Sequence, residues 1–186
     1  MIKNRLTSFD LFAGYGGFTL ALEKIYARHL GLPRIKEGEV QTKNEKSLSD
    51  ISSENGNRGK QYPLCECIGY SEIDKYAIQV YNKHFNHKNY GDITKISAET
   101  LPDFDLLVGG FPCQSFSIAG KRKGFEDTRG TLFFDIARIL KAKNPRLILL
   151  ENVKGLLSHD NGFTFKTIIK TLDELGYDCQ WQVLNS

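Results

Sequence analysis

Cys113 stands between Pro112 and Gln114, directly after the apolar run DLLVGG and Phe111. A thiol just past the carboxyl end of a buried strand lies where α/β proteins commonly present reactive groups. A free thiol titrates at about 8.5, and nearby cations or a helix N-terminus lower that value. Lys121, Arg122, Lys123 and Arg129 follow in the next loop. The competing reading is a small buried hydrophobe; position and basic neighbours favour the reactive one. After the next apolar run, RLILL, come Glu151 and Asn152. An acid at that strand end, beside the Cys113 strand, could hold its proton to higher pH and act as a donor. His159 falls in SHDNG, which reads as a turn, so cysteine and acid without a histidine base do not make a protease. The pair suits covalent addition to an electron-poor ring, with the acid bonded to a ring nitrogen.

A second group of residues could hold a ligand beside that pair. Phe12, Ala13, Gly14, Tyr15, Gly16 and Gly17 follow the first apolar run. Glycines there let the backbone turn sharply and approach a ligand, and the helix that follows offers unpaired N–H groups. Glu72 follows the second predicted strand and could accept from ribose hydroxyls; Asp92 offers another acceptor after the third. The glycines do not form G-x-G-x-x-G, so a pyrophosphate cofactor is not indicated. Each feature alone reads as an ordinary turn or solvated acid. In register on consecutive strands, they point to a nucleoside-containing cofactor.

These residues need elements to carry them. Hydrophobic patterning predicts strands over residues 8–12, 67–71, 105–109, 146–150 and 178–184, and a short edge strand or turn over 89–93. The strands at 105–109 and 146–150 read as buried on both faces. Helices are expected over 18–28, 75–84, 131–143 and 164–175, the last closed by Gly176. Strands alternating with helices argue an open, mostly parallel α/β sheet with helices on both faces. The segment at about 31–64 is polar, charged and rich in Asn, Ser and Gly, and reads as an inserted surface loop. Residues 111–130 form a second loop.

The 186 residues suit one domain or slightly more, and the net charge of +3 excludes a binder that works by bulk charge. A hydrophobic fraction of 40% and aromatic fraction of 11% suit a packed core. No apolar stretch approaches membrane length and no signal-peptide pattern opens the chain, so a cytoplasmic protein is expected. Four cysteines at irregular spacing, with no C-x-x-C, make neither a disulfide scaffold nor a metal site.

Taken together, DLFAGYGGF, SEID, GDIT, GGFPCQSFS, KGFEDTRGTLFF and LLENV stand in the order found in DNA (cytosine-5) methyltransferases. From Phe9 to about Ser186 the chain resembles the bacterial enzymes of restriction–modification systems. The resemblance implies a Rossmann-like fold that binds S-adenosyl-L-methionine and methylates C5 of a cytosine in double-stranded DNA. It implies that Phe12 packs on the adenine, that the Ala13–Gly17 backbone (with Gly14 and Gly16) lies along the methionine part, and that Glu72 holds the ribose. Ile73 replaces a tryptophan often seen there, which weakens stacking. Asp92 and Ile93 would meet the adenine edge, and Leu132 would line the pocket. Cys113 would add to C6 of a flipped-out cytosine, Glu151 would bond to N3 and the exocyclic amine, and Asn152 and Pro112 would shape the Cys113 loop. Gln114, Ser117, Lys121, Arg122, Lys123 and Arg129 would face DNA, with Gly120, Gly124 and Gly130 as hinges.

The pattern also departs from the family. The Gln-x-Arg segment, the target-recognition region and the closing C-terminal helix of the resemblance do not occur in these residues. The expectation is therefore a catalytic part, residues 1–186, completed by a second subunit or by a missing continuation. Two other classes were weighed: a non-catalytic module that binds S-adenosylmethionine or DNA and regulates a partner, and a nicotinamide-dependent reductase. The intact Cys113–Glu151 pair opposes the first; the absent G-x-G-x-x-G opposes the second.

Overall fold

The sheet begins with RLTSFDL, whose alternate residues split between two environments. Strand β1 (Arg5–Leu11) turns Phe9 and Leu11 into an apolar cluster and Ser8 and Asp10 to the opposite, more polar face. The computed structural model describes residues 5–22, 64–112 and 132–184. Strand β2 (Leu64–Ser71) pairs with β1 in parallel, with a register shift between Ser8 and Phe9. Strand β3 (Leu106–Gly110) pairs with the other edge of β1, and β4 (Leu147–Glu151) pairs with β3, both in parallel.

The order is therefore β2-β1-β3-β4. The chain leaves β1 toward one side to make β2 and returns to the other side to make β3. In an open parallel sheet that reversal leaves a crevice beyond the carboxyl ends of the neighbouring strands, where ligands bind.

Helix α1 (Lys75–His84) coincides with the predicted span. Asp74 begins it by accepting from the amides of Tyr76 and Ala77, satisfying two of the donors a helix leaves open. Helix α2 (Leu132–Lys143) ends at Asn144, whose φ of +44° breaks the helix before Pro145. Helix α3 (Phe163–Glu174) closes at Gly176 as expected. There φ is +88°, and the amides of Gly176 and Tyr177 return to the carbonyls of Asp173 and Leu172.

Helices α2 and α3 cover the Phe9–Leu11 face. Phe133, Ile136, Ile139, Leu140, Ile168 and Leu172 join Phe9, Leu11 and Leu107 in one buried cluster. Fully burying a side chain of this size stabilises the fold by about 1.5–3 kcal/mol. The other face of β1 packs Asp10 and Cys67 against Thr19, from the helical residues 17–22, and Tyr81 of α1.

Two strand expectations are corrected. Strand β4 is buried on one face only: Ile148 and Leu150 pack on the core, while Leu147 and Leu149 are each 50% exposed. It is the outer strand among the described residues, and Leu147 and Leu149 lie on the face opposite the core. Residues 177–184 form no strand. A strand needs a ladder partner, and this segment instead lays Trp181 edge-on against Phe165 at 5.2 Å and ties the Tyr177 hydroxyl to the Pro145 carbonyl at 2.9 Å. Of the short edge strand or turn expected over 89–93, the turn is what forms: a single bridge, Tyr70 to Asn89, precedes a 3-10 turn (Ile93–Lys95). The polar insertion lies, up to residue 63, outside the described residues, as does the loop from Cys113 to residue 131.

Candidate active site

The carboxyl ends of β1 and β2 are joined by side chains as well as by the sheet. Beyond Leu11 the backbone turns through positive φ at Phe12 (+55°), Gly14 (+54°) and Gly16 (+87°). Gly16 needs to be glycine twice over. Its φ is left-handed, and a Cβ there would lie 2.7 Å from a Phe85 ring carbon and 3.0 Å from the Tyr81 ring. The outer side of the turn is open: a Cβ on Gly17 would meet nothing within 4 Å.

Glu72 spans this turn and the start of α1. Its Oε2 accepts from the Gly14 amide at 2.8 Å, and its Oε1 accepts from the amides of Ile73 and Asp74 at 2.8 and 2.9 Å. Asn89, absent from the sequence-derived candidates, fixes Glu72 by its backbone. The Asn89 side chain accepts from the Glu72 amide at 3.2 Å and donates to the Glu72 carbonyl at 3.1 Å. It also accepts from the Gly91 amide at 2.9 Å, placing Asp92 beyond the same strand end. An Asn before a glycine turn is the signal that could have found it.

Asp92 caps its 3-10 turn, accepting from the Thr94 amide and hydroxyl at 3.0 and 2.8 Å, with Lys95 at 3.4 Å. The Thr94 hydroxyl, then its amide, hold the Asp92 carboxyl below the usual range. Ile93 turns its side chain into the core and is 3% exposed, so any ligand contact at this turn falls to Asp92 or to backbone. Ile73 is exposed beside Glu72, and Leu132 is half-buried at the start of α2, packed on the main cluster.

Below the glycine turn lies a carboxyl that the sequence reading passed over. Asp10 is 1% exposed, and burial lifts its pKa to about 7 despite the Thr19 hydroxyl bonded to Oδ2 at 2.9 Å. Its Oδ1 has no partner. The negative charge of Glu72 adds to the upward push.

A second set of contacts joins β3 to β4. Gly110 pairs with Glu151 in the sheet, and a Cβ on Gly110 would lie 3.0 Å from Glu151 Oε2. Glycine there keeps room for the carboxylate. Asn152 donates to the Phe111 carbonyl at 2.6 Å and accepts from the Val153 amide at 2.9 Å. That bracket fixes the backbone leading into Pro112 and Cys113. Cys113 itself, with Gln114, Ser117, Lys121, Arg122, Lys123, Arg129 and the glycine hinges, lies outside the described residues.

Beside the glycine turn the half-buried acids Glu72 and Asp92 act as acceptors. Such a set suits hydroxyls, an amine and positive charge, and opposes a pyrophosphate. The residues therefore fit a cationic nucleoside better than a dinucleotide.

The sequence signature described as C-5 cytosine-specific DNA methylase matches residues 6–186. The chain belongs to this family. The Type II methyltransferase M.HhaI of Haemophilus parahaemolyticus is 44% identical over 181 residues, which cover 97% of this chain and 44% of that protein. The Type II methyltransferase M1.ScrFI of Lactococcus lactis subsp. cremoris is 63% identical over 108 residues, covering 58% of this chain and 28% of its own. The chain thus spans less than half the length of these relatives. Among solved structures, the Dnmt2 methyltransferase of S. pombe matches 89% of the chain and 39% of its own length, with a TM-score of 0.50 and 18% identity. That likeness bears out the Rossmann-like methyltransferase fold expected from the motifs. In this family member no metal-ligating cluster occurs among the described residues, and no described helix is long and apolar enough to cross a membrane.

Proposed function

We propose that the protein carrying this chain transfers a methyl group from S-adenosyl-L-methionine to C5 of cytosine in a specific double-stranded DNA sequence. The observation that carries the reading is the Asn152–Phe111 bracket at 2.6 Å. It ties Asn152 to Phe111 where Gly110 pairs with Glu151, within a chain that the methylase family covers almost end to end, and this supports the pairing of Glu151 with Cys113.

The roles follow from chemistry. When bound, S-adenosylmethionine supplies an electrophilic sulfonium methyl. Phe12 and Ile73 would flank its adenine, Asp92 would accept from the adenine edge, Glu72 would take the ribose hydroxyls, and the Ala13–Gly17 backbone would lie along the methionine part. Leu132 closes the pocket. The Cys113 thiolate adds to cytosine C6, and the electron pair pushed toward C5 makes that carbon a nucleophile. Glu151 bonds to N3 and the exocyclic amine, which stabilises the adduct and identifies the base. Transfer of the methyl group to C5 would break its bond to the sulfonium and leave neutral S-adenosylhomocysteine; the C5 proton then goes to a base and the sulfur–C6 bond breaks, which restores the aromatic ring and the thiolate. The ring face is covered in a stacked duplex, so the cytosine must be flipped out. The loop with Gln114, Ser117, Lys121, Arg122, Lys123 and Arg129 closes on the DNA. Sequence selection belongs to a target-recognition region in the same protein or on a second subunit, and the working location is the cytoplasm, on the nucleoid.

The test is direct. The complete protein is incubated with genomic DNA and S-adenosylmethionine labelled in the methyl group, and the DNA is hydrolysed to nucleosides. Label in 5-methylcytosine is the expected result. Label confined to N4-methylcytosine or N6-methyladenine, or no label, overturns the proposal.

A further inference from the structure

We propose that Arg138 is a positioning residue for adenine recognition: its guanidinium reaches from α2, clamps the carbonyls of Ile93 and Ile96, and thereby fixes the Asp92 turn against the cofactor's purine. The inference rests on the reading of Asp92 given above and adds the group that holds it in place.

The 3-10 turn has only three residues. A piece that short leaves carbonyls without partners inside the turn. Its own closing bonds run from the Lys95 amide to the Asp92 carbonyl at 2.9 Å and from the Ile96 amide to the Ile93 carbonyl at 3.3 Å. The second is long. Arg138 strengthens that end, with Nη2 donating to the Ile93 carbonyl at 2.8 Å and Nη1 to the Ile96 carbonyl at 2.7 Å. Asp135, one turn back on α2, accepts from Nη2 at 3.2 Å and aims the fork.

The geometry suits arginine in particular. Two carbonyls three residues apart in the chain are met by two nitrogens of one planar group, which a single ammonium cannot reproduce. Beneath the turn, Ile93 and Ile96 are 3% and 7% exposed and anchor it to the core. Apolar packing fixes its height, and the guanidinium fixes its rotation. Asp92, held by Thr94, is carried on the same turn. Helix α2 also begins at Leu132, the residue proposed above to close the cofactor pocket, so the same helix carries both Leu132 and the group that holds the Asp92 turn. In the sequence, Arg138 reads only as a cation on an amphipathic helix.

The experiment measures binding by calorimetry on the complete protein with two probes. One is S-adenosylhomocysteine. The other is S-inosylhomocysteine, in which a carbonyl oxygen replaces the 6-amino group that an aspartate would accept from. Wild type is expected to prefer the adenosyl compound by roughly tenfold or more. Arg138→Met keeps the apolar stem and removes both bonds. It should weaken the adenosyl compound by roughly tenfold, the scale of one lost hydrogen bond to a charged group. It should weaken the inosyl compound by no more than about twofold, so the preference collapses. Arg138→Lys, which keeps charge but not the fork, should also lose most of the preference, and it carries the test if the methionine variant does not fold. An unchanged preference in both variants, or equal weakening of both probes, overturns the inference while leaving Asp92 its role. No preference in wild type overturns the Asp92 reading itself, and the inference with it.

Discussion

Replacing Asp10 with asparagine should flatten the dependence of stability on pH. The carboxyl is buried, with Thr19 on one oxygen and nothing on the other. Burial moves its pKa from 3.8 to about 7. A group whose folded pKa is raised contributes stability that is complete below its unfolded pKa and is lost as pH climbs through the folded one. Below pH 3.8 both states are protonated, and between 3.8 and about 7 the folded chain keeps a proton that the unfolded chain has released. Folding then weakens by ~1.4 kcal/mol for each pH unit, or ~4 kcal/mol across the window. Asparagine keeps an acceptor for Thr19 and carries no charge to desolvate. Its buried amide hydrogens cost about 1–3 kcal/mol. The variant should therefore be the weaker protein at pH 4 and the stronger at pH 8. Urea unfolding of both proteins across that range is the assay. The difference between them should swing by about 4 kcal/mol. Parallel curves would refute the reasoning, since they would mean that Asp10 is ionised in the folded chain at every pH tested.

Other outcomes follow from the same contacts. Gly16→Ala places a methyl against Phe85 and Tyr81 at a left-handed φ, and should cost about 1–3 kcal/mol in chemical denaturation and weaken S-adenosylhomocysteine binding with it. Asn152→Ala removes the bond to the Phe111 carbonyl, and should lower kcat by about 10–100-fold in single-turnover methylation while cofactor affinity measured by calorimetry stays within about twofold. Glu72→Gln turns one of the two amide-facing oxygens into a donor, and should weaken S-adenosylhomocysteine by at least about tenfold, read in the same calorimetric titration.

How much of this could be read beforehand divides along physical lines. Lys75–His84 was legible because Asp74 stands where a capping acceptor is needed and a good helical run follows. Leu106–Gly110 was legible because a strand buried on both faces leaves an uninterrupted apolar run. Strand β4 carries a similar run, LILLE, yet half of it is exposed. Its composition reports what the strand can tolerate, and its edge position decides what it meets. The candidates Glu72 and Glu151 stand out in the sequence because each acid lies at the carboxyl end of a strand, and Asp92 because it falls in the strand or turn expected over 89–93, of which a single bridge forms. Their supports stand out less: Asn89, Thr19 and Arg138 act across 17, 9 and 42–45 residues of sequence, and of these only Asn89, ahead of a glycine turn, carries a local mark. Asp10 was hidden differently. Inside DLF it reads as an ordinary strand residue, and only the closure of Thr19 and Tyr81 over it gives it an unusual proton affinity.

The account depends most on the sulfur of Cys113. Duplex DNA with 5-fluorocytosine at the target position is incubated with the complete protein and S-adenosylmethionine, then denatured and digested for mass spectrometry. Fluorine at C5 cannot leave as a proton does, so the sulfur–C6 bond should persist, and the modified base should be found on the peptide containing Cys113. Cys113→Ser should give no such peptide and no methylation. Stable methylation of ordinary DNA by that variant, or a covalent link mapped to another residue, would contradict the account.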